Sequence, residues 1–134
     1  MSDEQNVAGG GVERRVHPRV PVETRVRVEY GSLRGFVEEV CRNVSIGGMF
    51  VQTPTPPPVG SVLRFELDLP DRAGVVHGSG EVAWVRSQDD PPANPAGFGL
   101  KFLDVPPTQR DLIFQVVDRF IQRGGAPFDL DQAG

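Results

Sequence analysis

Residues 62–69 read VLRFELDL, a stretch in which apolar and charged side chains alternate. Period two with one apolar face is the pattern of a half-buried β-strand. The apolar set consists of Leu63, Phe65, Leu67 and Leu69. The set facing away from it consists of Val62, Arg64, Glu66 and Asp68. This stretch therefore predicts a sheet with one face on the core and one in water.

The same signal recurs on both sides of this stretch. Strands are predicted at residues 23–30, 36–42, 49–52, 75–86 and 97–102. For residues 36–42 the pattern leaves two registers open, one with Phe36, Glu38 and Val40 inward and its opposite. The prolines in residues 53–60 exclude sheet pairing there. Short strands separated by turns about every 8 to 12 residues favour a small antiparallel barrel.

The spacing of the apolar residues changes from strand-like alternation to helical spacing in residues 108–123. Residues 108–123 are predicted to form an α-helix with Thr108 as its N-cap and Asp111 complementing the exposed amides. We expect its apolar stripe to plug the open end of the barrel or to pack on its wall, with a dimer contact as the alternative. The stripe consists of Leu112, Ile113, Val116, Val117, Phe120 and Ile121.

Composition limits the classes of function. A chain of 134 residues suits one domain, and a net charge of -4 argues against a general nucleic-acid binder. The single cysteine, Cys41, cannot form an internal disulfide, and no apolar run is long enough for membrane insertion. Residues 1–11, MSDEQNVAGGG, lack the pattern of a signal peptide, so a cytoplasmic location is expected.

No constellation typical of an enzyme is present in the sequence. His17 and His77 do not stand at metal-ligand spacing from Cys41 or a carboxylate, and Ser45 has no companion histidine at a recognisable spacing. We therefore expect no catalytic residue, no metal and no cofactor.

Residues 14–19, RRVHPR, carry three arginines in six positions. Pro18 removes a backbone donor and favours an extended conformation before it, so Arg14, Arg15 and Arg19 project from a nearly straight backbone. A guanidinium offers a planar fork of donors that matches phosphate oxygens or a guanine edge. Arginines in such a place are also often only a solvated face. The segment indicates an anion clamp only if a second feature supports it.

Residues 43–48, NVSIGG, are that second feature. Asn43 and Ser45 can bond nearby backbone groups and hold a turn, while Gly47 and Gly48 permit positive φ and the close approach of a ligand. Considered alone, the segment is better explained as an ordinary turn.

The two segments together, Arg-x-x-x-Arg at Arg15 and Arg19 followed by Asn-x-Ser-x-x-Gly at Asn43, Ser45 and Gly48, resemble the PilZ domain family. These are bacterial receptors for the second messenger cyclic di-GMP. The resemblance covers residues 13–123 and implies a mainly β fold, a six-stranded antiparallel PilZ-type β-barrel with a C-terminal α-helix. It implies that the two arginines grip phosphates and guanines and that the second motif meets one guanine and its ribose.

The resemblance gives a set of expected cyclic di-GMP-binding residues. Asn43 stands where Asp is also common, and its missing charge is expected to cost some affinity. In the family, an additional arginine immediately before the first motif goes with the binding of two stacked ligand molecules. Arg14 therefore favours two molecules per chain, and the number bound stays open. The complete set is Arg14, Arg15, Arg19, Asn43, Ser45, Gly47 and Gly48.

The expected organisation is a disordered lead at 1–12, a PilZ domain at 13–123 and a flexible tail at 124–134. Within the domain, 13–22 is the arginine-bearing segment, 23–103 the barrel and 108–123 the helix. The expected function is that of a non-catalytic receptor, a monomer or weak dimer, which signals to an unidentified protein partner in motility, polysaccharide or biofilm control. The alternative is a protein-interaction module with the same fold that does not use cyclic di-GMP.

Overall fold

The computed structural model describes residues 18–31, 35–87 and 95–125. Within these ranges the chain forms six β-strands, a 3-10 turn at Pro70–Arg72 and one α-helix, α1, at Pro107–Gln122. The strands are β1 Val20–Glu29, β2 Phe36–Ser45, β3 Gly48–Gln52, β4 Val62–Leu69, β5 Gly74–Arg86 and β6 Gly97–Asp104.

The six strands close into a barrel in the order β1-β2-β3-β6-β5-β4. Every neighbouring pair is antiparallel, and β1 completes the ring because it pairs with β2 on one side and β4 on the other. Val26, for example, lies opposite Glu39 of β2 and opposite Leu67 of β4. The predicted six-stranded antiparallel barrel is confirmed.

Strand β4 has the predicted register, since Leu63, Phe65, Leu67 and Leu69 are all buried. The structure also settles the register of β2, which the sequence left open. Its inward set includes Cys41, Asn43 and Ser45, while Phe36 and Val40 are each 38% exposed. A slip of one residue would move every side chain of β2 to the other face, so pairing with two neighbouring strands fixes this choice.

Helix α1 crosses one open end of the barrel. It contacts β2 and β5, which lie opposite each other in the strand order. Ile113, Val116 and Val117 are buried in the same apolar cluster as the inward residues of the strands. Of the two packings expected from the sequence, the helix therefore adopts the one that plugs the barrel.

Several predicted boundaries were wrong. The N-cap of α1 is Pro106 and not Thr108, and Asp111 lies beyond the first turn, which contains no acidic residue. Ile121, assigned to the apolar stripe, is 41% exposed because it lies on the last turn of the helix.

The first strand also begins earlier than the alternation predicted, at Val20 and not at Glu23. Pro21 is part of β1, next to a register shift between Pro21 and Thr24. Prolines within sheets are confined to strand ends and irregular pairings of this kind.

In the part of the chain that the structure describes, no helix has the length and apolar character needed to cross a bilayer.

Candidate functional site

A cavity of about 460 Å³ lies at the barrel end that α1 covers. Four parts of the chain form it: the residue before β1, the turn between β2 and β3, the outer face of the β5–β6 pair, and the first turn of α1. Its described lining residues are Arg19, Ser45, Ile46, Gly47, Ala83, Trp84, Gly99, Leu100, Lys101, Phe102 and Arg110.

Arg19 reaches this cavity from the position immediately before β1. Its side chain lines the cavity although the residue is only 7% exposed. The same guanidinium lies close enough to Cys41 to act on its thiol, because the positive charge opposes the rise in the pKa of Cys41. Burial is the larger effect and raises that pKa to about 12. Arg19 is therefore a cation placed between the cavity and the buried face of β2.

Ser45 organises the turn that forms the cavity floor. Its Oγ accepts hydrogen bonds from the N–H groups of Gly47 and Gly48, both at 3.1 Å. The carbonyl of Gly47 accepts in turn from the N–H of Phe102 at 2.9 Å, which ties the turn to β6. The serine of the second motif thus holds the Ile46-Gly47 turn against the barrel wall.

The glycines of the second segment do not adopt the expected backbone conformation. Neither Gly47 nor Gly48 is among the described glycines with positive φ, so that expectation was wrong. Gly48 does not line the cavity, and a Cβ atom there would collide with the carbonyl oxygen of Leu100. Gly48 is required because β3 and β6 approach closely at this point, which removes the space for a side chain.

Asn43 lies in β2 and not in the bend where the sequence placed it. The residue is 4% exposed, and within the described ranges its Oδ1 atom is buried without a hydrogen-bond partner. An unsatisfied buried acceptor costs about 1 to 3 kcal/mol. Asn43 is not itself one of the cavity-lining residues.

The structure thus brings Arg19, Ser45 and Gly47 together around one cavity. Arg14 and Arg15 lie outside the described residues, as do the predicted disordered lead and most of the predicted tail.

Sequence reasoning missed Lys101 and Arg110, which also line the cavity. Lys101 lies directly across from Gly48 in the β3–β6 register. Its outward position was readable from the alternation of residues 97–102, but its neighbours were not. Arg110, the fourth residue of α1, gave no signal because the seating of the helix on the barrel is a tertiary contact. With Arg19 these residues make three cations among the described lining residues, which include no carboxylate.

Trp84 lines the cavity while much of its indole packs on protein. Its ring stacks on Phe50 with centroids 5.4 Å apart, and it covers Gly99 so closely that a Cβ atom there would overlap it. The Arg86 guanidinium lies 5.3 Å from its centroid. The tryptophan is therefore part of the barrel wall and leaves only part of its surface towards the cavity.

Within the described ranges, no group of three His, Cys, Asp or Glu residues is arranged to hold a metal ion. The polar chemistry available at the cavity is mainly that of the three cations, because the Ser45 hydroxyl and the Gly47 N–H are already hydrogen-bonded to each other. Such a set binds anions and hydrogen-bond acceptors.

The PilZ domain model matches residues 13–119. The comparison with curated proteins gave no significant match.

Solved structures with this fold include the inhibitor of motility MotI/DgrA of Bacillus subtilis, with 17% identity and a TM-score of 0.68. The match covers 83% of this chain and 53% of MotI, so the chain spans about half the length of that protein. The PilZ domain of Escherichia coli YcgR with c-di-GMP gives 17% identity and a TM-score of 0.58, over 84% of this chain and 98% of that domain. The MrkH–c-di-GMP complex of K. pneumonia gives 14% identity and a TM-score of 0.60, over 84% of this chain and 55% of MrkH.

The family match extends over most of the sequence, and the six-stranded barrel with its terminal helix is shared with the solved PilZ structures. This chain belongs to the PilZ domain family.

Proposed function

We propose that this protein is a non-catalytic receptor for cyclic di-GMP. The observation that carries the proposal is the cavity in which Arg19 of the first motif meets Ser45 and Gly47 of the second, among cations and without a described carboxylate. Cyclic di-GMP carries two phosphate charges and two guanines. A guanidinium can pair with either group through its planar fork of donors.

Membership of the PilZ family supports this ligand, as do two solved structures of similar fold, the YcgR PilZ domain with c-di-GMP and the MrkH–c-di-GMP complex. The proposed ligand-binding residues are Arg14, Arg15, Arg19, Asn43, Ser45, Gly47 and Gly48. Of these, Gly48 acts by permitting the β3–β6 contact that places the turn.

Asn43 supports the proposal independently. Its Oδ1 is buried without a partner among the described residues, so the donor edge of a guanine would satisfy it, provided that binding brings Asn43 to the cavity that it does not line in this structure. Its use by the ligand would recover a hydrogen bond that the described residues do not supply.

The proposed consequence of ligand binding is a change in the affinity of this protein for a partner protein. The proposed context is the control of motility, polysaccharide or biofilm formation. Ligand binding shifts a conformational equilibrium only as far as it favours one state over the other. The segment near residues 10 to 20 is the proposed element that becomes ordered against the barrel when the nucleotide binds, which presents a new surface to the partner.

Isothermal titration calorimetry with cyclic di-GMP tests the proposal on the wild type, Arg15→Gln and Arg19→Gln. We expect micromolar or tighter binding for the wild type, which corresponds to about 8 kcal/mol or more. Each substitution removes a charge-assisted contact and is expected to weaken binding about 10- to 100-fold. The same titrations report the number of ligand molecules per chain.

Arg64→Gln is the matched control, because it changes the net charge equally on the β4 wall, where Arg64 pairs with Glu29 at 2.6 Å. It is expected to bind like the wild type. A folded wild type that gives no binding heat, or arginine variants that match the wild type, would refute the receptor function.

The second candidate is a protein-interaction module that does not use the nucleotide. Exposed apolar residues on α1 favour it, since Phe114 is 53% exposed and Ile121 41% exposed. In that case Phe114→Ala reduces capture of a partner while cyclic di-GMP has no effect on it.

A further inference from the structure

We propose that Lys101 and Arg110 form a second cationic contact for the ligand, so that the bound nucleotide bridges the barrel wall and helix α1. This inference rests on the proposed function, because it assigns further residues to the same cavity. It adds two residues outside both sequence motifs and gives the ligand a direct connection to the helix.

The first observation is the position of Lys101. Phe98 and Leu100 point into the core, so Lys101 lies on the outer face of β6. It is the register partner of Gly48, and the turn held by Ser45 is therefore its immediate neighbour. A phosphate seated on the Ser45–Gly48 turn would lie within reach of this ammonium group.

The second observation is the position of Arg110. It lies in the first turn of α1, where its N–H donates to the Pro106 carbonyl at 2.9 Å. A cation is unfavourable near the positive end of a helix dipole, and the first turn has no acidic residue to compensate. The helix itself therefore does not explain a basic residue at this place. An anion in the cavity that Arg110 lines would offset this unfavourable placement.

The third observation is that neither cation has a counterion among the described residues. Among the described residues, neither Lys101 nor Arg110 has a carboxylate within ion-pair distance, although Glu81 is the register partner of Lys101 on β5. On the opposite wall Arg25, Arg27 and Arg64 each pair with a carboxylate at 2.6 to 3.1 Å. Cations that face a cavity without a described counterion favour an anionic ligand there.

A hydrogen bond ties the start of α1 to the barrel. The side chain of Gln109, next to Arg110, accepts a hydrogen bond from the His77 N–H of β5 at 2.7 Å. The start of the helix is thus held on one side by β5 and faces the cavity on the other. An anion that engages Arg110 would add a further restraint on this first turn.

The test is calorimetry of the full chain with cyclic di-GMP, comparing Lys101→Gln, Arg110→Gln and the double variant with the wild type. Because both side chains are exposed, we expect about a 3- to 10-fold loss for each and a larger loss for the double variant. Raising the salt concentration should weaken wild-type binding more than that of the double variant. Arg110→Lys, which keeps the charge, is expected to retain most of the affinity.

Arg119→Gln is the matched control, since it removes the same charge from the last turn of the same helix. Hydrogen exchange supplies a second readout. Ligand is expected to slow exchange of the first-turn amides of α1 in the wild type and in Lys101→Gln, and to do so less in Arg110→Gln.

The outcomes separate the two proposals. If the wild type binds, Arg19→Gln binds weakly, and Lys101→Gln and Arg110→Gln behave like Arg119→Gln, this inference is wrong and the receptor function stands. Helix protection that is absent in the wild type, or unchanged in Arg110→Gln, overturns the bridge to α1. If the folded wild type does not bind at all, the receptor function fails and the inference fails with it.

Discussion

Gly48 and Leu100 approach so closely across the β3–β6 pair that a Cβ atom on Gly48 would collide with the Leu100 carbonyl oxygen. Closure of the barrel therefore requires a glycine at position 48, the last residue of the second motif. Its loss should affect folding before it affects any ligand.

Gly48→Ala is expected to destabilise the ligand-free protein by about 3 kcal/mol, because the obstructing atom belongs to the backbone and cannot rotate away. Urea denaturation without nucleotide measures this effect. Gly60→Ala is the control, since Gly60 has open space and only a positive φ, with an expected cost of roughly 1 to 2 kcal/mol. Equal losses for both variants would contradict the close-approach explanation.

Ser45→Ala is expected to lower the free energy of unfolding by about 1 to 3 kcal/mol. The N–H groups of Gly47 and Gly48 would both lose the acceptor that holds the turn. Ser61→Ala is a matched control, because its Oγ donates to the Pro58 carbonyl at an exposed site. Denaturation curves for the two variants should differ clearly, and an unchanged midpoint for Ser45→Ala would count against its role in the turn.

Asn43→Asp is expected to raise affinity for cyclic di-GMP about threefold to tenfold, since a charged acceptor binds a donor edge more strongly than an amide. The same change should lower the stability of the ligand-free protein, because position 43 is buried. Calorimetry and urea denaturation of the same sample give both values. Lower affinity together with lower stability would argue against a ligand contact at this position.

Ile113→Ala is expected to cost about 2 to 5 kcal/mol of stability, because Ile113 is fully buried in the core that α1 shares with the barrel. The next residue, Phe114, is 53% exposed, so Phe114→Ala should change stability by less than about 1 kcal/mol. Thermal or urea denaturation compares the two. Similar losses at both positions would contradict the placement of the helix over the barrel end.

Stability should fall at alkaline pH through Cys41. Burial raises the pKa of its thiol from 9.0 to about 12, so the folded protein keeps a proton that the unfolded chain releases. The stabilisation is complete below the unfolded pKa near 9 and is lost as pH rises towards 12, by about 1 kcal/mol between pH 9 and pH 10.

The comparison of Cys41→Ala with the wild type isolates this effect. Burial, with a hydrogen bond to Glu39, also raises the pKa of Tyr30, but that residue is present in both proteins. The variant should lose less stability over the same pH interval. An identical decline in both proteins would assign the effect to other groups.

The sequence determined the strands and the helix through local periodicity. The alternation of residues 62–69 and the apolar spacing around Ile113 depend only on which side chains can be buried together. The motif spacing likewise pointed to Arg19 and Ser45, and the glycine pair next to it included Gly47. These features were readable because each is a pattern within a short segment.

Tertiary structure decided what lies next to what. Pairing with the neighbouring strands determines the register of β2. The close approach of the Leu100 backbone requires a glycine at position 48. The packing of α1 on the barrel places Arg110 at the cavity that Lys101 also lines. These relationships join residues far apart in the chain. They follow from closure of the barrel and burial of its open end, which no local pattern of side chains encodes.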